Sequence, residues 1–144
     1  MLRLFPLLSI PVILYNVVAL GGGVFSRAAE EVVAGLSRTL TSVPMASGTT
    51  WVVSSGDVIL LIALFMVFIE LLKAAKYGRG NALAHTLSLG LFILCLVEFL
   101  LIPAFASTLF FAITMMTLMN VLAGYMMAGE QVEVLSEGDE DYED

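Results

Sequence analysis

The chain has little with which to do chemistry. It holds one cysteine (Cys95), one histidine (His85) and one tryptophan (Trp51) in 144 residues. A lone cysteine excludes an intrachain disulfide and any exchange between paired thiols. One cysteine and one histidine cannot complete the four protein ligands of a usual zinc site, so neither metal nor cofactor is expected. Charge is scarce as well: charged residues make up 13% of the sequence, half of the roughly 25% typical of soluble domains. With six bases in all, no basic patch is available to hold a nucleic acid. No nucleophile–base pair or phosphate-binding loop can be picked out, so no enzyme is expected.

What fills the chain instead is apolar, with 60% hydrophobic residues. The net charge of -7 is not a property of the whole molecule. Residues 130–144 carry eight acids and no base, while six bases face five acids over residues 1–129. The body is nearly neutral and the acidity is a tail.

The stretch Leu83 to Ala128 contains only two ionisable side chains, His85 and Glu98. As one helix it would run about 69 Å, more than twice the roughly 30 Å of a bilayer's hydrocarbon. Pro103 lies near its centre, removing a backbone donor and pushing Ile102 out of helical geometry. Two membrane-crossing helices joined by a tight apolar turn are expected.

Ahead of them, Leu4 to Leu20 is a second apolar run behind Arg3, interrupted by Pro6, Pro11 and Asn16. A cleaved signal ending near Gly21 is one reading; a retained span, kinked at Pro11, is preferred because the run exceeds the usual 7–15-residue signal core, roughly. After Gly21 to Gly23, apolar residues from Phe25 to Leu40 recur at spacings of three and four, which predicts an amphipathic helix lying in the interface. Thr41 to Gly56 is turn-rich, and Trp51 within it suits an interfacial anchor. Asp57 is placed as the N-cap of a further span ending near Ala75. There Glu70 and Lys73 can pair while the lysine snorkels.

Lys73, Lys76 and Arg79 are the densest basic cluster, so their loop is expected on the cytoplasmic side, with both termini. The expected fold is thus an all-α membrane protein with four transmembrane helices, at about 4–22, 57–75, 82–103 and 107–128. It has an interfacial amphipathic helix at about 25–41 and a disordered acidic C-terminal tail. Residues 1–129 form the transmembrane domain and 130–144 the tail, with a bacterial inner membrane as the expected location.

Small and polar residues mark which helix faces meet. Ala84, Ser88, Leu91, Cys95 and Glu98 form a heptad seam, and Thr117, Asn120, Gly124 and Ala128 form a matching face. Glu98 stands out, because an ionised carboxylate at that depth is expensive. Asn16 and Thr114 are expected to share its level. Two readings stay open: a proton or ion site, or a neutral glutamic acid bridging helices. Correspondingly, two functions are expected. The first is an accessory, assembly or stabilising subunit bound to another membrane protein or to itself; the alternative is a proton-coupled small transporter or channel component using Glu98.

Overall fold

The computed structural model describes the backbone of residues 6–21, 29–77 and 82–140, and the side chains of 6–21, 29–73 and 86–126. Among these are five α-helices and one two-stranded sheet. In order they are α1 (Ser9–Leu20), α2 (Ala29–Leu36), β1 (Thr39–Pro44), β2 (Thr50–Ser54), α3 (Ser55–Tyr77), α4 (Ala82–Leu101) and α5 (Thr108–Glu140), with a 3-10 turn at Pro103–Phe105 between the last two. The expected breaks at Gly22 and Gly23, the apolar start at Phe25, and Arg79 with its loop all lie outside the described residues, as do the side chains of Lys76, Ala84 and Ala128.

The helices are apolar on the outside as well as the inside. On α1, Val12, Tyr15 and Ala19 are buried, while Ile10, Ile13, Leu14 and Val17 are exposed. On α3, Ile59 and Ala63 face inward, while Leu61, Leu64, Phe65, Phe68 and Leu72 face out. So broad an apolar exterior is foreign to water-soluble monomers. Among the described residues, two helices are long and apolar enough to cross a membrane, over Ser55–Lys73 and Thr108–Met126; Ser9–Leu20 and Thr86–Leu101 are apolar but shorter. That is two, where four were expected. At 12 residues, α1 rises only about 18 Å.

Helix α5 is the centre of the bundle, packed along both α3 and α4. Pro103 breaks α4 from α5 in the expected way: Ile102 is extended, with φ -113° and ψ 115°. Pro11 lies inside α1 rather than ending it. It falls in the first turn, where a missing backbone N–H would have no helical partner anyway.

Four expectations are corrected. The region Thr41 to Gly56 is not a set of turns but an antiparallel hairpin, with Val43 opposite Trp51 and Ser42 opposite Val52. Its strands are rich in Thr and Val, which suit the pleat. The Met45 N–H donates to the Thr49 carbonyl at 2.9 Å and the Gly48 N–H to the Met45 carbonyl at 3.0 Å. Gly48 has φ +82°, closing the three-residue loop through a left-handed glycine. The hairpin also shortens the amphipathic helix, which ends at Leu36 rather than at about residue 41. The β-branched Thr39 and Thr41 are taken into β1 instead.

The N-cap of α3 is Ser54, not Asp57. Ser54 Oγ accepts from the Asp57 N–H at 3.2 Å, and Asp57 Oδ2 accepts from the Ser54 N–H at 2.8 Å. This reciprocal pair is a capping box, with the acid at its third position. Beside it, Ser55 Oγ donates to the Leu36 carbonyl at 2.9 Å, serving the end of α2. The tail differs too: α5 stays helical to Glu140. Extending an existing helix needs no new nucleus, and no proline interrupts residues 130–140.

Candidate functional site

The polar groups inside the bundle fall on two levels, and two contacts fix the alignment of the helices. A Cβ built on Gly56 would lie 3.3 Å from Leu109 Cδ2, so α3 and α5 start side by side and run parallel. The Phe99 and Phe111 rings have centroids 5.4 Å apart, which aligns antiparallel α4 with α5.

The first level lies near the hairpin end. Asn16 on α1 donates through Nδ2 to Glu98 Oε2 on α4 at 3.2 Å, and to the Val12 carbonyl at 3.1 Å. Both side chains are half-buried. The amide thus joins the first helix to the fourth through the single acid of α4. Thr114, fully buried on α5, donates to the Phe110 carbonyl at 2.9 Å. Its hydroxyl serves its own helix, as a mid-helix threonine often does. Thr117 likewise donates to the Thr114 carbonyl at 2.7 Å.

Beside this level is a contact that the sequence reading missed. Ser107 Oγ accepts from the Phe110 N–H at 3.1 Å, capping α5, and lies 2.6 Å from the Tyr15 hydroxyl of α1. Tyr15 also packs its ring against Phe105 and Phe110, with centroids 5.6 and 4.7 Å away. A serine directly before an apolar helical run is a cap signal and could have been read. Its tyrosine partner, 92 residues away, could not.

The second level lies towards the α3–α4 loop. Glu70 of α3, Ser88 of α4 and Asn120 of α5 are 7%, 3% and 2% exposed. Glu70, expected beside a snorkelling lysine, is itself buried among the helices, while Lys73 is exposed. The reason is its register: Gly56, Ile59, Ala63 and Glu70 all fall on the buried stripe of α3, at heptad spacings that follow α5.

Of the remaining seam residues, Cys95 on α4 and Thr117 and Gly124 on α5 are buried, and Leu91 on α4 is half-buried. Trp51 is exposed, but on a strand rather than in a loop. Among the described residues, no group of three or more His, Cys, Asp or Glu side chains could hold a metal ion. No family model matches the chain, and no curated protein or solved structure matches it.

Proposed function

We propose that the protein is a small integral membrane protein with four spans and both termini cytoplasmic. In this reading it acts as an accessory, assembly or stabilising subunit of a larger membrane complex. The apolar exteriors of α1, α3, α4 and α5 support the bilayer setting. Helix α4, at 20 residues, rises about 30 Å. Helix α1 completes a fourth crossing only together with the segment ahead of it.

The observation that carries the subunit reading is the hairpin. Every residue from Thr39 to Val52 is exposed, including Leu40, Val43, Met45 and Trp51. A two-stranded ribbon is marginal alone, and both of its outer edges offer unpaired backbone groups to another chain. Such an element suits docking better than solitary life in solvent. Glu98 supports the same reading, because its carboxylate is engaged by Asn16 in a contact between helices.

Gentle detergent extraction of the native protein tests this. Comigration with a larger complex, lost when Thr41–Val53 is replaced by a short Gly-Ser linker, is expected. A lone monomer under the mildest extraction would sink the proposal.

A further inference from the structure

We propose that the hairpin docks a second copy of this chain, the outer edge of β2 pairing antiparallel with the same edge of its partner across a two-fold axis at Trp51. This rests on the reading of the hairpin as a docking element, and it adds which edge is used and what occupies it.

The two edges of the hairpin are not alike. The Met45 N–H donates to the Thr49 carbonyl, and Val43 stands opposite Trp51 two places further along. Peptide groups in an antiparallel pair point alternately across the ladder and away from it. Those of Val43 and Trp51 therefore point across, and those of Ser42, Pro44, Thr50 and Val52 point outward. On β1 this sets Pro44, which has no N–H to give, on the outer edge. The register of β1 is also irregular between Thr39 and Thr41, where the pairing skips Leu40. A proline and a bulge are both devices that close an edge strand to further pairing. Strand β2 has neither. Thr50 and Val52 each present an outward N–H and C=O, and Thr50, Trp51 and Val52 are all exposed.

Charge selects the occupant. A strand that meets its own copy sets each side chain beside its own kind, so like charges there would repel. No charged residue occurs between Arg38 and Asp57, and the edge carries none of the lysines that commonly guard one. Rotating β2 about Trp51 sets Thr50 opposite the second copy's Val52, and Val52 opposite its Thr50, as two hydrogen-bonded pairs. The two Trp51 side chains meet between them at the closer, non-hydrogen-bonded position, where aromatic cross-strand contact is favourable. Val43 and Trp51, both exposed, then join their counterparts in one apolar row across four strands. Such a sheet is past the size at which a lone ribbon is marginal. With the blunted β1 at both outer sides, the assembly closes at two copies.

The test uses the full chain in native membranes. In a Cys95→Ala background, Trp51→Cys should give a disulfide-linked dimer on mild oxidation, in about tenfold higher yield than Ser42→Cys at the middle of the β1 edge. Native mass spectrometry of chains that keep Trp51 and Cys95 gives an independent reading. Two copies per particle are expected for the wild type and for Ser42→Pro, but one for Val52→Pro, which removes an outward N–H that β1 does not use. A single copy in the wild type, equal effects of the two prolines, or a crosslink from position 51 to a different protein would each overturn the pairing. A single copy whose Trp51 fluorescence is quenched by brominated lipid would give the hairpin to the bilayer instead. The two readings fail separately. A larger complex holding one copy refutes the pairing alone, and a bare dimer that joins no complex refutes the subunit reading alone.

Discussion

The hydroxyls of Tyr15 and Ser107 lie 2.6 Å apart, joining the first helix to the cap of the last. Ser107 uses one oxygen for two tasks: it satisfies the Phe110 N–H and meets the tyrosine. Ser107→Ala removes both and should destabilise by about 1–3 kcal/mol, against about 0.5–1.5 kcal/mol for Tyr15→Phe. A double-mutant cycle on unfolding in mixed micelles should show coupling between the two positions. Additive effects would mean that the contact contributes nothing of its own.

The Asn16–Glu98 contact should respond unequally to its two obvious variants. Glu98→Gln keeps an oxygen able to accept from the Asn16 amide and should stay within about 1 kcal/mol of wild type. Asn16→Leu leaves a half-buried carboxyl without its amide and should lose about 1–3 kcal/mol. Equal losses in thermal unfolding would argue against the amide as the relevant partner.

Gly56 admits no side chain without adjustment. A Cβ there would sit 3.2 Å from the Leu36 carbonyl oxygen and 3.3 Å from Leu109 Cδ2. Gly56→Val should therefore cost about 1–3 kcal/mol by pushing α3 away from α2 and α5. Cysteine crosslinking across α3 and α5 would report that separation as a reduced yield, and an unchanged yield would mean that the neighbours give way freely.

The capping box should act locally. Ser54→Ala removes the acceptor of the Asp57 N–H and should cost about 1 kcal/mol. The loss should appear first as faster amide exchange in the opening turn of α3. Uniform protection across that turn would show that the helix start is held by other contacts.

Removing the hairpin should separate fold from association. Since Thr41 to Val52 are exposed, replacing Thr41–Val53 with Gly-Ser should leave the helical circular dichroism signal nearly intact while comigration with a complex disappears. Loss of the helical signal would instead make the hairpin a structural brace.

Much of the helical architecture was written in local pattern. The break at Pro103 follows from one ring and one missing donor, and the inward faces of α4 and α5 follow from Ser88, Cys95, Thr117 and Asn120 at heptad spacings. The Asn16–Glu98 contact was legible as well, because two polar groups at one depth in apolar helices have few other partners. The hairpin was misread because Pro44, Gly48 and Gly56 drew attention from the β-branched residues between them. Whether a Thr- and Val-rich stretch pairs or turns depends on the strand opposite, which lies outside any local window.

By itself, then, the sequence determined where helices break, which residue types face inward, and that the exterior is apolar. Only the tertiary structure decided that Ser54 rather than Asp57 caps α3, that Tyr15 reaches Ser107, and that Glu70 is buried while Lys73 is exposed. Periodicity is carried by neighbours three and four residues apart. The burial of one carboxyl is decided by which helix lies across from it, and that depends on registers such as Gly56 against Leu109, which are set by contacts far apart in the chain.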